Sequence, residues 1–400
     1  MPVWAGLDIA KDFHWLAVLD ERGRPLFNGR VDNDPENIEQ AVGNLKAAEA
    51  EHGTVVVGLD VMGGIAGLVA AMLLDAGLRC VYVPGLAVNR ARRATRGGEN
   101  KSAPRDAKVI AEQTMLRAGE LRPVELPEEI HVEIRLVVGH RRSLTTDATR
   151  RAARMRDLLV GIHPGLEKLI DTGTKSSLLL LSRYVAPAEI RQAGTSRVSA
   201  FFQRNGVVPR PRTPWPTRPS PVLGASASPH RVSVALPSSS ANWPRTCCGF
   251  ATVLAQLDAE LEVLLEQHPD AALICSLPGM GATLTAEFIA QVGDIRRFPS
   301  GDALAAASGL APVLAQSGRM RYSRGPSGGD EPLKRVFYQS SFCALQRDPT
   351  SRAFYDRKRS EGKRHHQALI ALARRRVNVL YAIVRDRQPY RAGPPLRLVA

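Results

Sequence analysis

Residues 3–9, VWAGLDI, are the stretch from which the topology of the N-terminal part follows. They form a short apolar run that ends next to an acid, a pattern typical of a buried strand. Two further strands are predicted over 14–20 and 21–31, with turns at Asp12 and at Arg22-Gly23. Together the three segments predict a three-stranded meander.

Helices and strands are predicted to alternate after this meander. Helical periodicity covers 35–52 behind Asp34, a suitable N-cap, and TVVVGLD at 54–60 is the continuous apolar run of a buried parallel strand. Further elements follow at similar intervals: a helix over 63–76, a strand over 79–84 and a helix over 104–116. The order βββαβαβα predicts an α/β domain of the RNase H-like type, with helices on the faces of a mixed sheet.

The middle of the chain has a different pattern. From 127 to about 169 a long charged segment has apolar residues three and four positions apart, which predicts one long helix in a coiled-coil arm. Residues 251–267 are helical again and long enough to return along it. Between them, 209–244 hold nine prolines in 36 positions, so an irregular insert is predicted over 205–247.

Length and composition fit this division. Four hundred residues with 44% hydrophobic and 23% charged side chains suggest at least two folded domains. We predict an α/β domain over 1–120, the arm over 121–265 and an all-α domain over 266–392. Five cysteines, an odd number with no C-x-x-C pair, argue against a disulfide scaffold or a zinc finger.

The charge distribution indicates a polyanionic partner. The net charge is +15, and residues 319–391 hold 18 Lys and Arg against six Asp and Glu, a surplus of 12. A solvated basic face is the simplest explanation, but so uneven a distribution favours nucleic acid. An acidic membrane surface is less favoured, because no basic amphipathic helix carries Trp or Phe.

Three acids follow predicted strands or begin a predicted helix. Asp8 and Asp60 end neighbouring strands, and Asp106 lies in the first turn of a helix that could pack beside them. Carboxylates at one sheet edge repel unless a cation lies between them, and Mg²⁺ prefers such oxygen ligands. The alternative is that each acid is a turn former or a cap; the three in this order favour a metal-assisted phosphoryl-transfer site.

Two segments of the C-terminal part are further candidates. SLPGMG at 276–281 has the form of a helix-hairpin-helix, in which Gly279 and Gly281 would leave backbone N–H groups free for a DNA phosphate, although an ordinary helical hairpin is equally compatible. QSGRMRYSRG at 316–325 places Ser317 in a basic loop, where a serine is most often a turn residue. The candidate nucleic-acid contacts in and after that loop are Arg319, Arg321, Arg324, Lys334 and Arg335.

These motifs resemble the transposases of the insertion-sequence 110 family. The resemblance rests on GLDIAKD (6–12), VVVGLDVMGG (55–64), KSAPRDAKVIA (101–111), SLPGMG (276–281) and SGLAPVLAQSG (308–318), in this order. It covers about 3–117 and 251–390. It implies a RuvC-like domain with a four-carboxylate DEDD site that uses Mg²⁺, a coiled-coil arm, and a C-terminal domain with a nucleophilic serine that forms a phosphoserine link to DNA.

Carried over position by position, the resemblance assigns Asp8, Asp60 and Asp106 as the first, second and fourth acids and Ser317 as the nucleophile. Asp60 stands where the family usually has Glu. The third acid falls on Ala103, whose methyl group cannot bind a cation, so we expect weakened or lost strand cleavage. The Pro-rich insert is a second departure, and we interpret it as an out-of-frame or degenerated segment.

The resemblance also implies partners. It predicts element-end and target DNA, a structured non-coding bridge RNA, and a homo-oligomer, either a dimer or a tetramer, in which the carboxylates and the serine come from different subunits. We expect a cytoplasmic, nucleoid-associated protein without a membrane segment. The alternatives are a non-catalytic nucleic-acid-binding remnant, a junction resolvase of RuvC type and, less favoured, an actin-like kinase.

Overall fold

The computed structural model describes residues 2–95, 98–125, 128–162, 164–184, 187–207, 243–318, 320–326 and 328–392. The chain divides into two compact units, Met1–Pro127 and Glu128–Ala400. The division into three parts stays a prediction. Most of the predicted Pro-rich insert, 208–242, lies outside the described residues.

The first unit is an α/β domain on a six-stranded sheet. Its strands are β1 (Val3–Asp8), β2 (Phe13–Leu19), β3 (Pro25–Asp32), β4 (Val55–Leu59), β5 (Arg79–Tyr82) and β6 (Arg122–Pro123), in the order β3-β2-β1-β4-β5-β6. β1, β4 and β5 are parallel, whereas β2, β3 and β6 pair antiparallel to their neighbours. The predicted meander and mixed sheet are therefore confirmed.

Helices cover both faces of this sheet. They are α1 (Pro35–His52), α2 (Gly67–Asp75), α3 (Gly85–Arg93) and α4 (Ala103–Arg117). Side chains alternate between the faces of a strand, and Leu7 and Val57 lie in one apolar core with Ile38 of α1 and Leu73 of α2. The opposite face of β1 is covered by α4. This arrangement encloses β1 and β4 on both sides, as their apolar sequences predict.

Two elements of this unit were not predicted. α3 is a nine-residue basic helix, and β6 is a two-residue strand that pairs with β5. Neither is long enough for hydrophobic periodicity to distinguish it from a loop. α3 matters for the site because it carries Arg92 next to α4.

The second unit contains the long helices and a helical module. Its helices are α5 (Glu129–Ile162), α6 (Pro164–Glu167), α7 (Lys175–Arg183), α8 (Pro187–Arg204), α9 (Trp243–Gln267), α10 (Ala271–Ser276), α11 (Ala282–Val292), α12 (Gly301–Ala307), α13 (Glu331–Arg347), α14 (Pro349–Ser360) and α15 (His365–Asp386). α5 and α9 run antiparallel, because Arg141 is bound to Asp258 at 2.6 Å and His131 to His268 at 3.0 Å between the ring Nε2 atoms. The coiled-coil nature of this arm stays a prediction.

The prediction of an all-α C-terminal part is wrong at one place. Val313–Ser317 forms β7 and Met320–Arg324 forms β8, an antiparallel hairpin in which Ser317 pairs with Met320. Gly318, which follows β7, has a φ of 54°, a backbone conformation that glycine adopts without strain. The hairpin has few β-branched residues, so its sequence resembles a loop. Across the helices that the structure describes, none has the length and apolar character needed to cross a membrane.

Candidate functional site

Asp8 and Asp60 lie at the carboxyl ends of two adjacent parallel strands. Leu7, one residue before the end of β1, is in register with Leu59, the last residue of β4, so Asp8 and Asp60, the next residues, are neighbours. Asp60 Oδ1 also accepts a hydrogen bond of 3.2 Å from the backbone N–H of Ile9. The carboxyl edge of a parallel sheet is where such folds place ligands.

A pair of glycines brings α4 onto these strands. Gly6 of β1 is in register with Gly58 of β4, and each lies two residues before one of the acids, so glycine and acid share a face of the sheet. A Cβ on Gly6 would lie 2.3 Å from the Ala107 carbonyl oxygen, which leaves no space for a side chain. The close approach places Asp106, in the first turn of α4, on the face of the sheet that carries Asp8 and Asp60.

The electrostatics of this edge disfavour the charged forms of Asp8 and Asp60. Burial, then the charges of Asp60 and Asp106, raise the pKa of Asp8 from 3.8 to about 6, against a smaller opposing effect of Lys101. Burial is also the main cause that raises the pKa of Asp60, although the Ile9 N–H counteracts it. The negative charge at this edge is therefore under-compensated at neutral pH, as expected of a cation site.

Asp106 has a cationic partner that the sequence analysis missed. Arg92 Nε of α3 lies 3.0 Å from Asp106 Oδ1, and both side chains are almost fully buried. The two atoms are at ion-pair distance, but the N–H is not aligned for a hydrogen bond, and neither atom has one elsewhere. Asn89 accepts from Arg92 Nη2 at 3.0 Å; the Asn-x-x-Arg spacing on one short helix was the available signal.

The donor set fits a hard cation in part. Asp8 and Asp60 are adjacent carboxylates whose negative charges are disfavoured by burial and by neighbouring acids. A divalent cation bound between them would offset this cost. Asp106 is neutralised by Arg92, and Ala103 begins α4 with a methyl group. In the part of the chain that the structure describes, no three His, Cys, Asp or Glu side chains are grouped so that they could hold one metal ion.

Ser317 lies in the second unit, whereas the three carboxylates lie in the first. It is exposed at the end of β7, and by strand alternation it shares a face with Val313 and with its partner Met320. Arg321 and Arg324 are exposed along β8. Arg319, predicted as a contact beside them, lies outside the described residues.

Lys334 and Arg335, the other candidate nucleic-acid contacts, each form an ion pair within the protein. Lys334 Nζ lies 3.1 Å from Glu331, and Arg335 forms a 2.6 Å ion pair with Glu287, so a carboxylate already offsets each charge. Their role in binding nucleic acid stays a prediction.

The segment predicted as a helix-hairpin-helix lies between α10 and α11, and its assignment to that motif stays a prediction. Gly279 there has a φ of 83°, and a Cβ on it would lie 2.5 Å from the Ser340 carbonyl oxygen of α13. Packing therefore requires this glycine. Gly281 is exposed at the N-terminus of α11, and phosphate binding at this turn stays a prediction.

Comparison with known proteins shows the family to which the chain belongs. Residues 5–164 match a family model described as "Transposase", named for the DEDD transposases of IS110, and residues 271–356 match the model "Transposase IS116/IS110/IS902 family". The matches define the class as a transposase, an enzyme. The chain belongs to the IS110 family of transposases.

Two insertion-element proteins are similar over nearly the whole chain. The uncharacterized 42 kDa protein of IS900 from Mycobacterium paratuberculosis is 36% identical over 395 residues, 97% of each chain. The uncharacterized 44.8 kDa protein of IS116 from Streptomyces clavuligerus is 35% identical over 410 residues, 100% of this chain and 98% of the relative. The solved structure of T. thermophilus RuvC with a Holliday junction substrate matches 31% of this chain and 100% of its own at 18% identity and a TM-score of 0.24. The α/β assignment rests on the sheet topology, not on that likeness.

Proposed function

We propose that this transposase cuts and rejoins DNA at the ends of its insertion sequence, with Asp8 and Asp60 as ligands of Mg²⁺ and Ser317 as the nucleophile. The observation that carries the proposal is the pair of adjacent, partly buried carboxylates at the sheet edge, where the pKa of Asp8 is raised to about 6. When bound, Mg²⁺ would polarise a phosphoryl oxygen and offset the charge that develops there.

The residues of the second unit have complementary roles. Ser317 Oγ forms a bond to phosphorus, the bond from phosphorus to the DNA oxygen breaks, and the departing oxygen takes up a proton while the serine loses one. The product is a phosphoserine link, which a DNA hydroxyl reverses when the strand is rejoined. Arg324, exposed on the face of the hairpin that carries Ser317, holds a phosphate beside the scissile bond, whereas Arg321, exposed on the opposite face, binds a phosphate farther along the DNA.

The partners follow from the same assignment. The basic C-terminal helices bind the backbone of DNA and of a structured non-coding RNA, by charge rather than by reading bases. A homo-oligomer would let the carboxylates of one subunit meet Ser317 of another. A complex that holds these side chains tens of ångströms apart in every pairing of subunits would contradict the mechanism.

A covalent-adduct assay tests the proposal. Purified protein is incubated with Mg²⁺, element-end DNA carrying a label and the flanking non-coding transcript, then denatured and separated by electrophoresis. We expect a labelled protein–DNA adduct that Ser317→Ala abolishes, because no other oxygen replaces the nucleophile. Ser323→Ala, an exposed serine on the neighbouring strand, is the matched control and should retain the adduct. An undiminished adduct in Ser317→Ala would exclude the serine as the nucleophile.

The alanine at position 103 affects the rate of DNA cleavage that we expect of this protein. We propose that its activity is low, because one carboxylate position of the DEDD pattern holds a methyl group. Ala103→Asp should raise the rate of adduct formation by about tenfold, the effect of ~1.4 kcal/mol of added transition-state stabilisation. Equal rates for the two proteins would show that this position is dispensable.

A non-catalytic remnant is the second candidate. It is favoured by Ala103 and by the Arg92–Asp106 ion pair, which together reduce the carboxylates available to a cation. Salt-dependent binding of DNA or RNA with no adduct under any condition would select it.

A further inference from the structure

Arg92 and Asp106 form an ion pair that the proposed mechanism does not use. Arg92 Nε lies 3.0 Å from Asp106 Oδ1, and the two side chains are 10% and 7% exposed. Separating a buried carboxylate from its guanidinium partner is costly, because each would be left as an uncompensated charge away from water. Asp106 is therefore not a vacant ligand in this chain.

The position of Arg92 is fixed by its surroundings. Val88 packs with Val109 and Ile110 in a small apolar core, which attaches α3 to α4. Asn89 accepts a hydrogen bond from the Arg92 guanidinium at 3.0 Å, and the Arg92 carbonyl accepts one of 2.7 Å from Thr95 Oγ1. The guanidinium is thus part of the folded site.

We propose that Arg92 neutralises Asp106, the role that the second ion has in two-metal phosphoryl-transfer sites, so that the acidic site of this chain takes one divalent cation, through Asp8 and Asp60. The inference rests on the proposed function, since it concerns the same carboxylates.

Charge balance supports a single cation. Asp8, Asp60 and Asp106 contribute three negative charges and Arg92 one positive charge, so two negative charges remain, the amount that one divalent ion neutralises. Lys101 is exposed, so water screens its contribution. A guanidinium stays protonated at any working pH and cannot act as a metal ligand. A carboxylate at position 103 would add a ligand for the first cation, but Arg92 would still repel a second.

Metal stoichiometry without DNA tests the inference. Mn²⁺, used as the probe, is titrated into the full chain and free ion is followed by electron paramagnetic resonance. We expect one bound Mn²⁺ per chain in the parent protein and one, bound more tightly, in Ala103→Asp. The double variant Ala103→Asp/Arg92→Gln should bind two. Its matched control is Ala103→Asp/Arg93→Gln, in which the exposed neighbouring arginine is replaced, and it should bind one.

The outcomes separate this inference from the proposed function. Two Mn²⁺ ions in the parent protein or in Ala103→Asp, or one in a folded double variant, would overturn the role of Arg92 and leave the function intact. No bound Mn²⁺ at all in the parent protein would contradict the metal site itself. If Arg92→Gln prevents folding, Ala103→Asp alone decides, because it keeps the ion pair: one site supports the inference and two sites refute it.

Discussion

Asp8→Asn is expected to reduce DNA cleavage strongly and to make the metal-free protein more stable. The amide keeps the size of the side chain but removes a charge that burial and two neighbouring acids oppose. Cleavage should fall by at least about a hundredfold, since losing a metal ligand removes ~3 kcal/mol of transition-state stabilisation. Adduct formation with Mg²⁺ and urea denaturation in chelator measure the two effects on the same preparation.

The direction of the stability change follows from proton linkage. The folded state holds the proton of Asp8 up to about pH 6, whereas the unfolded state releases it near 3.8. The folded state therefore binds more protons between these values, and stability falls as pH rises through this window. Above it, the parent protein should be less stable than Asp8→Asn by ~1 kcal/mol, after allowance for solvent screening of a half-buried group.

The pH dependence of cleavage gives a second test of Asp8, and a variant of a nearby exposed acid serves as the control. Cleavage by the parent protein at limiting Mg²⁺ should rise with pH through about 6 and then level off, as Asp8 becomes available to the cation. Asp12→Asn changes an exposed acid in the turn after β1, and it should leave both cleavage and stability unchanged. Stability of Asp8→Asn equal to that of the parent in chelator would show that neither burial nor the neighbouring acids disfavour the charge of Asp8.

Much of the first unit could be predicted because its elements are long and periodic. Asp8 and Asp60 end or follow apolar runs of the kind typical of parallel strands buried on both faces, so their adjacency could be predicted from the pattern. The sequence also contains Gly-Leu-Asp twice, at 6–8 and 58–60. This repetition was available as a signal that both strands accept a helix on the face of the acids.

Other features depend on contacts that a linear pattern does not contain. Arg92 is one of several arginines in its segment, and only the packing of α3 on α4 distinguishes it from the exposed Arg93. Ser317 was predicted in a loop, because the five-residue strands of its hairpin have weak β-propensity and no core behind them to impose alternation. Such short elements are determined by their neighbours.

Gly6→Ala is expected to destabilise the first unit by ~3 kcal/mol, near the upper end for overpacking. The added Cβ would lie 2.3 Å from two α4 backbone atoms, the Ala107 carbonyl oxygen and the Ala111 nitrogen, which no side-chain rotation relieves. Either β1 or α4 must therefore move, and α4 carries Asp106. Urea denaturation of the variant measures the loss.

The matched control for Gly6→Ala is Gly43→Ala, on the exposed face of α1, where nothing lies within 4 Å of an added Cβ. It should stabilise the protein by about 0.5–1 kcal/mol, because alanine restricts the unfolded chain and favours helix. If Gly6→Ala were as stable as Gly43→Ala, α4 could not lie directly on β1, and Asp106 would lose the contact that holds it on the same face as Asp8. The acidic site therefore requires the Gly6–Gly58 pair, because only residues without a side chain let α4 approach the strands closely enough to place Asp106 beside the other acids.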